Sequence, residues 1–194
     1  MALHERAHFL WEFFKRPGSV GAVAPSSPSL ARIMVEWIDW PNVRTVIEYG
    51  PGTGAFTGRI RERLDPRCRF LALEINPEFA AAIAARYPEV SVHQESAANV
   101  EAICRREGIA EVDAIVCGLP WAVLDEREQA EILRGMMAVL KPGGQFVTFA
   151  YLQGLLLPAA RRFRGNLRRH FSKIERSRTA WMNLPPAFVY RCRK

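Results

Sequence analysis

The stretch VIEYGPGTGAFTG, residues 46–58, decides the fold class of this chain of 194 residues. Gly50, Gly52 and Gly54 alternate directly after an apolar run that contains the carboxylate Glu48. Glycine at this density indicates a backbone that turns sharply or lets a ligand come very close. A turn of this kind between a strand and a helix is typical of an α/β sheet, in which ligands bind at the carboxyl ends of the strands.

Strand and helix patterns alternate from residue 44 to residue 150. Short β-type runs occupy residues 44–49, 69–74, 90–94, 112–117 and 145–151, and helical stretches fall near 55–64, 77–86, 96–107 and 125–139. The alternation predicts a parallel sheet with helices on both faces. Asp125, with Glu128 three residues later, predicts the start of the last of these helices. Residues 173–182 and 187–193, separated by NLPP, predict a C-terminal antiparallel hairpin.

The segments before this domain differ in composition from it. Residues 1–16 predict an amphipathic helix, and we expect its apolar side chains to lie at the lipid headgroup boundary, among them Leu10, Trp11, Phe13 and Phe14. The alternative is that this face packs on the domain or covers its ligand. Residues 17–43 predict a lid loop and a helix that begins at Ser27 and Pro28. Residues 44–194 then form the α/β domain.

The overall composition limits the classes of partner and of site. A net charge of +7 and a pI near 9.7 indicate an anionic partner, either nucleic acid or an acidic membrane surface. The sequence contains no apolar run of about 18 residues and no secretory signal pattern, so we expect a cytoplasmic protein. Its four cysteines are scattered without the paired spacing of a metal site, which predicts reduced thiols and no metal.

Three kinds of ligand suit a glycine-rich loop, and the residues separate them. A phosphate-binding P-loop ends in Gly-Lys-Ser/Thr, whereas this loop continues as Phe56-Thr57-Gly58. A dinucleotide fingerprint has its third glycine where this chain has Thr57. The remaining ligand is an adenosyl group without a diphosphate. S-adenosylmethionine carries a sulfonium and an ammonium group, so the negative charge of Glu48 would attract it.

Carboxylates after the next two strands support an adenosine ligand. Glu74, beside Ile75, ends the second strand and can accept hydrogen bonds from both ribose hydroxyls, although this position suits NAD equally well. Glu95, beside Ser96, follows the third strand and can accept a hydrogen bond from the adenine amino group. The alternatives are that both acids are solvated surface residues and that the glycine loop is only a tight turn.

Four motifs resemble those of class I S-adenosylmethionine-dependent methyltransferases: EYGPGTG at 48–54, the acid at 74, GLPW at 118–121 and LKPGG at 140–144. The resemblance implies a Rossmann-like sheet of seven strands, S-adenosyl-L-methionine as cofactor and S-adenosyl-L-homocysteine as its product. It also implies that Gly118 and Leu119 contact the cofactor. Two branches of this superfamily share the E-x-GPGTG form, namely ribosomal RNA adenine dimethyltransferases and bacterial phospholipid N-methyltransferases.

The GLPW motif favours the phospholipid branch. The corresponding motif of the RNA enzymes resembles Asn-Leu-Pro-Tyr. Gly118 replaces its asparagine, and we expect the glycine to leave space for a tetrahedral alkylamine. Residues 15–27 and 183–192 are also similar to the flanking segments of the phospholipid family. Residues 94–96 depart from it, because Gln-Glu-Ser replaces the usual Gly-Asp-Ala.

The resemblance implies methylation of phosphatidylethanolamine towards phosphatidylcholine by a peripheral protein at the inner face of the cytoplasmic membrane. The alternatives are an RNA adenine dimethyltransferase and a non-catalytic membrane adaptor. The expected partner is an anionic membrane containing phosphatidylethanolamine, without nucleic acid. Candidate residues around the substrate amine are Tyr49, Trp121, Tyr151 and Asp125. Candidates for contact with lipid are Arg164, Arg168, Tyr190 and Arg191.

Overall fold

The computed structural model describes residues 26–194, which form one sheet with helices on both faces. Its strands are β1 (Thr45–Tyr49), β2 (Arg69–Leu73), β3 (Ser91–His93), β4 (Val112–Cys117), β5 (Leu140–Tyr151), β6 (Lys173–Arg176) and β7 (Ala187–Arg193). The strand order is β3-β2-β1-β4-β5-β7-β6. Strands β1 to β5 are parallel, and β7 is antiparallel to both of its neighbours. The predicted seven-stranded sheet is confirmed, whereas the amphipathic helix at 1–16 lies outside the described residues.

The helices are α1 (Pro28–Val35), α2 (Thr57–Arg61), α3 (Pro77–Arg86), α4 (Val100–Arg106), α5 (Glu126–Val139) and α6 (Pro158–His170). Side chains of α1, α2 and α3 pack on one face of the sheet, and those of α4, α5 and α6 pack on the other. The central strands are therefore buried on both faces: every residue of β1 is buried, including Glu48, and in β4 only Asp113 is partly exposed.

The sequence signals for helix ends are confirmed by their hydrogen bonds. The Ser27 hydroxyl accepts a hydrogen bond from the Leu30 amide at the start of α1. Asp125 and Glu128 accept hydrogen bonds from each other's backbone amides at the start of α5. The predicted helix at 55–64 is shorter, because the turns of the glycine loop continue to Phe56 and α2 covers only Thr57–Arg61.

The C-terminal hairpin is confirmed, but its first arm is shorter than predicted. Strand β6 ends at Arg176, and residues 177–186 form a loop with one isolated bridge between Ala180 and Ala187. Ala187 at the start of β7 lies opposite Tyr151 at the end of β5. This loop therefore lies at the carboxyl edge of β1 to β5, which is also the edge that carries the glycine loop.

The cysteines agree with the expectation of reduced thiols, because all four are free. Within residues 26–194, no group of histidine, cysteine and acidic side chains is arranged to hold a metal ion. In the same part of the chain, no helix combines the length and the apolar character that crossing a membrane requires.

The cap of α5 provides a test of this local structure. Asp125→Ala removes the acceptor for the Glu128 amide, and we expect the free energy of unfolding to fall by about 1 kcal/mol. Urea denaturation followed by circular dichroism measures it. Glu131→Ala, which removes only an exposed ion pair with Arg127, should change it by less than about 0.5 kcal/mol. Equal losses in the two variants would contradict the capping role.

Candidate active site

The glycine loop lies across the carboxyl ends of β2 and β4. The Gly50 amide donates to the Leu73 carbonyl oxygen at 2.8 Å, and the Gly118 amide donates to the Tyr49 carbonyl oxygen at 2.7 Å. The first hydrogen bond holds the glycine loop to β2, and the second brings together the EYGPGTG and GLPW motifs, which are far apart in sequence. The structure thus forms one site from the two segments.

Glycine is required at Gly118 by the close approach of these two segments. A Cβ atom added there would lie 2.6 Å from the Gly50 carbonyl oxygen, which is backbone and cannot rotate away. The expectation that this glycine leaves space for an alkylamine is therefore corrected. The missing side chain would point at the glycine loop, so packing of the loop is sufficient to explain Gly118. Gly52 differs, because it has open space around it but a φ of +52°, a conformation that favours glycine.

Glu48 is a fully buried carboxylate with only one of its oxygens bonded. Its Oε2 accepts a hydrogen bond of 2.7 Å from the Thr57 hydroxyl, and its Oε1 has no hydrogen-bond partner among the described residues. Burial raises the pKa of Glu48 to about 8, the Thr57 hydrogen bond opposes this rise, and the charge of Glu74 adds to it. A buried acid with an unpaired oxygen is suited to a cationic ligand, as the sequence predicted.

Glu74 lies at the end of β2 and connects the glycine loop to the start of α3. Its Oε2 accepts a hydrogen bond of 3.0 Å from the Gly52 amide, and its Oε1 accepts one of 2.9 Å from the Asn76 amide. Burial raises the pKa of Glu74, and these backbone amides partly offset the rise. Each oxygen can accept one more hydrogen bond, so the carboxylate fits a ribose diol next to Gly52.

A cleft of about 110 Å³ opens beside this loop. Its described lining consists of Ser26, Gly50, Pro51, Gly52, Thr53, Ala55, Phe56, Phe79, Gly118 and Phe149. None of these residues has an ionisable side chain. Three of them are phenylalanines, whose aromatic faces attract a sulfonium group. The acidic groups of the site, Glu48 and Glu74, are not among the residues that line the cleft.

Glu95 and Ser96 have local partners in the structure. The Glu95 carboxylate forms an ion pair with Arg106 of α4 and a long hydrogen bond of 3.5 Å with Asn99. The Ser96 hydroxyl accepts a hydrogen bond from the Ala98 amide and caps a short 3₁₀ turn. Ile75 is partly exposed next to Glu74. Contacts of Ile75, Glu95 and Ser96 with the cofactor stay predictions.

Two aromatic residues expected at the substrate amine lie in the core instead. Tyr49 is fully buried, its hydroxyl has no hydrogen-bond partner among the described residues, and burial raises its pKa well above the ordinary value. Trp121 is 3% exposed, stacks on Phe163 of α6 with ring centres 4.2 Å apart, and donates to the Thr148 hydroxyl. Both side chains stabilise the packing of the sheet and α6, contrary to the prediction that they act on substrate.

The residues expected to hold the lipid phosphate are also separated from one another. Tyr190 and Arg191 are neighbours on β7 and therefore project to opposite faces of the sheet. Tyr190 is buried against Phe163, whereas Arg191 donates to a carboxylate oxygen of Glu36 at 2.6 Å. They do not form one phosphate site. Asp125, also a candidate near the amine, caps α5 as described above.

Tyr151 remains a candidate near the substrate. It ends β5 and contacts the ring of Phe149, which lines the cleft. Burial raises the pKa of Tyr151 to about 12, so its phenol stays protonated near neutral pH and can form hydrogen bonds but cannot act as a base. Arg164 and Arg168 are exposed on α6, as a lipid-contacting role requires.

Sequence reasoning missed Thr57 and the three phenylalanines of the cleft. Thr57 lies nine residues after Glu48 but contacts it because the glycine loop reverses the chain. Phe149 lies near the carboxyl end of β5. Because ligands bind at the carboxyl ends of the strands in such sheets, its position could have been identified from the sequence. Phe56 and Phe79 belong to no recognisable motif, and only the fold brings them together.

Comparisons with known proteins agree with this geometry. The family model described as "Methyltransferase domain" matches residues 46–144, from β1 to the start of β5. An ornithine lipid N-methyltransferase of Singulisphaera acidiphila is 34% identical over 188 residues, which cover 95% of this chain and 94% of that protein. The chain belongs to the class I S-adenosylmethionine-dependent methyltransferases.

Solved structures show the same fold for this methyltransferase. A Thermotoga maritima S-adenosylmethionine-dependent O-methyltransferase has a TM-score of 0.65 at 16% identity, covering 94% of this chain and 71% of that one. A Burkholderia thailandensis 1,6-didemethyltoxoflavin-N1-methyltransferase, solved with S-adenosylhomocysteine, has a TM-score of 0.64 at 17% identity, covering 100% and 91% respectively.

The residues present fit S-adenosylmethionine, the cofactor of this enzyme. Glu48 has an unpaired buried oxygen for a cationic group, Glu74 has acceptor capacity for ribose hydroxyls, and Gly52 keeps the loop open beside them. When bound, the cofactor supplies an electrophilic methyl group. The protein's own residues hold and orient it, and the apolar lining of the cleft excludes water.

The raised pKa of Glu48 predicts a pH effect. The unfolded chain ionises this carboxyl near pH 4.5, whereas the folded protein retains the proton up to about pH 8. The contribution of Glu48 to stability is therefore full below pH 4.5 and falls as the pH rises to 8. Glu48→Gln should remove this decline, with a gain on the order of a few kcal/mol at pH 8. Thermal melts of wild type and Glu48→Gln from pH 5 to 8 measure this difference. Parallel profiles of melting temperature against pH for the two proteins would contradict the prediction.

The same carboxyl predicts proton release on binding. S-adenosylhomocysteine carries an ammonium group that favours ionised Glu48, so wild type should release close to one proton per ligand at pH 7. Calorimetry in buffers of different ionisation enthalpy measures this number. Glu48→Gln should release almost none, and an unchanged release would assign the proton to another group.

Gly118 and Gly165 make a matched pair of alanine substitutions. Gly118→Ala places a Cβ 2.6 Å from backbone, so we expect the loop to shift and the affinity for S-adenosylhomocysteine to fall at least about tenfold, which corresponds to about 1.4 kcal/mol. Gly165 lies within α6 with no atom near its Cβ position, so Gly165→Ala should leave affinity unchanged and favour the helix. Calorimetric titration compares the two, and equal affinities would contradict the close-approach argument.

Proposed function

We propose that this methyltransferase transfers methyl groups to the primary amine of a membrane aminolipid, with phosphatidylethanolamine as its substrate and phosphatidylcholine as the final product. The proposed site of action is the inner face of the cytoplasmic membrane. The relative from Singulisphaera acidiphila is named for a different aminolipid, ornithine lipid. Both headgroups combine a primary amine with an anionic group, so one type of cleft suits either lipid.

The observation that carries this proposal is the position of a basic helix beside apolar side chains at the edge of the cleft. Helix α6 contains five arginines and no acidic residue. It begins at the carboxyl edge of the sheet, directly after the exposed Leu156 and Leu157. Arginines near an anionic leaflet contribute roughly 1 kcal/mol each. Together with the leucines, they would hold the open end of the cleft against lipid headgroups.

The lining of the cleft suits an amine substrate. A primary ammonium with a pKa of about 10.4 must lose its proton before it can accept a methyl group, which costs about 4–5 kcal/mol at pH 7. An apolar cleft solvates the ammonium form poorly, and this desolvation lowers the cost. The protonated phenol of Tyr151, which lies beside Phe149, would then donate or accept a hydrogen bond with the amine.

RNA adenine dimethylation is the second candidate, and the basic surface of α6 is the observation that favours it. RNA-binding surfaces usually add exposed aromatic side chains that stack on bases. The exposed apolar side chains at this edge are mainly aliphatic, and Trp181 is the one exposed aromatic residue within 26–194, a composition that suits lipid better. A non-catalytic adaptor accounts less well for the unpaired buried oxygen of Glu48, which costs stability without a cationic ligand.

A labelling experiment tests the proposal directly. The protein is given radiolabelled S-adenosylmethionine and, separately, vesicles containing phosphatidylethanolamine, vesicles containing ornithine lipid, and ribosomal RNA. We expect label in phosphatidylethanolamine, and mass spectrometry counts the methyl groups added. Label in RNA alone would contradict the lipid assignment, and label in ornithine lipid alone would replace the substrate but keep the class.

A charge-reversal variant of α6 tests whether its arginines bind the membrane. Arg164→Glu with Arg168→Glu should lower methylation of vesicle-bound lipid by at least about tenfold, because two attractive contacts become repulsive. Affinity for S-adenosylhomocysteine should stay unchanged, since neither residue lines the cleft.

A further inference from the structure

The loop between β6 and β7 exposes three large apolar side chains. Trp181 is 70% exposed, Met182 is 82% exposed and Leu184 is 74% exposed. A tryptophan in water leaves much apolar surface unburied, and the burial of this surface is a strong driving force for association. The predicted hairpin gave no indication of this surface, because residues 177–182 were assigned to its first strand.

The exposed apolar side chains are confined to one edge of the molecule. Within residues 26–194, the large hydrophobic side chains that are exposed are those of this loop together with Leu156 and Leu157. Both groups lie at the carboxyl edge of the sheet, because Tyr151 pairs with Ala187 and the Leu152 amide donates to the Pro186 carbonyl oxygen. Large exposed apolar side chains gathered at one edge, here called the apolar rim, mark an interaction surface.

The loop is fixed by buried hydrogen bonds while its apolar side chains face outward. Asn183 is 3% exposed and donates to the Pro185 carbonyl oxygen at 2.7 Å. Its Oδ1 accepts a hydrogen bond of 2.9 Å from the Ser27 amide. Ser26, the neighbour of Ser27, lines the cofactor cleft. The apolar loop and the cleft are thus connected through a single buried side chain.

The charges around the rim identify its occupant. Arg176 directly precedes the loop, and Arg178 lies within it and is paired with Glu36; both arginines are exposed. The arginines of α6 follow the leucines in the chain. Apolar side chains flanked by arginines match a bilayer with anionic lipids, in which tryptophan lies at headgroup level and methionine and leucine lie deeper. A protein partner would have to complement the same arginines with its own acidic rim.

We propose that Trp181, Met182 and Leu184 insert into the interface of an anionic bilayer and so hold the cofactor cleft against the lipid headgroups. The inference rests on the proposed function in that it takes the substrate to be a lipid of this bilayer. It assigns the anchoring to the β6–β7 loop, in addition to the basic face of α6.

Fluorescence quenching tests the insertion itself. In a Trp11→Phe background, vesicles of phosphatidylglycerol and brominated phosphatidylcholine should quench the emission of Trp181. Trp181→Phe in the same background should lose most of that quenching. Trp40 and Trp121 are buried in the core, and Trp37 is only partly exposed and lies beside Arg193, at the opposite edge of the sheet. Equal quenching with and without Trp181 would overturn the proposal.

A serine variant tests the consequence for binding and activity. Trp181→Ser, Met182→Ser and Leu184→Ser together should weaken vesicle binding, and slow methylation of vesicle-bound lipid, at least about tenfold. Methylation of a short-chain phosphatidylethanolamine below its micelle concentration should stay within about twofold of wild type, as should S-adenosylhomocysteine affinity. The control is Pro66→Ser with Ala110→Ser, two exposed positions at the opposite edge, which should change neither.

The outcomes separate this inference from the proposed function. Unchanged vesicle binding by the serine variant would overturn the docking role, while methylation of lipid by wild type would still support the function. An equal loss on the short-chain lipid would also overturn it, because the loop would then act within the cleft. If wild type methylates neither vesicle-bound nor short-chain aminolipid but the emission of Trp181 is quenched, the proposed function is wrong and the docking role of the loop is kept.

Discussion

The burial of Glu48 is the constraint on which the rest of the site depends. A carboxylate at the centre of a sheet edge, bonded through only one oxygen, is unfavourable until a positive group arrives. The glycine loop passes directly over it because two backbone hydrogen bonds hold that loop to β2 and β4. The close approach of Gly118 to Gly50 then leaves no room for a side chain, so the two motifs are mutually dependent.

The strand order explains why binding and docking surfaces share one edge. Parallel strands β1 to β5 end beside the cleft, and the antiparallel β7 returns the chain to that same edge. The leucines after β5 and the loop before β7 therefore lie beside each other, although about 25 residues separate them in sequence. Helix α6 begins at this edge, directly after the leucines, and runs to the opposite edge, so Arg161 and Arg162 in its first turns lie nearest to the leucines. One topological feature thus combines the cleft, the apolar rim and the arginines.

Much of the fold was predictable from the sequence because its signals are local. Alternating apolar runs gave the strands, Ser27 and Asp125 marked helix starts, and Glu48 and Glu74 were identified by their distance from the glycine loop. The burial of Tyr49 and Trp121 was not predictable, because neither the last position of β1 nor the loop after β4 reveals whether a side chain enters the core. The separation of Tyr190 from Arg191 was predictable, because adjacent residues of a strand project to opposite faces. The Phe56, Phe79 and Phe149 lining arises from three distant segments, and no local pattern predicts such a set.

The uncharged lining of the cleft has a consequence for when the reaction stops. Within the described part of the chain, no side chain that lines the cleft titrates, so its walls treat the amine and its methylated forms alike in charge. What changes along the series is the nitrogen, which keeps a lone pair through the secondary and tertiary amines and loses it in the quaternary product. For the proposed amine substrate, the end point would then be set by the loss of the nitrogen lone pair, and the secondary and tertiary amines would each be able to leave the enzyme and return.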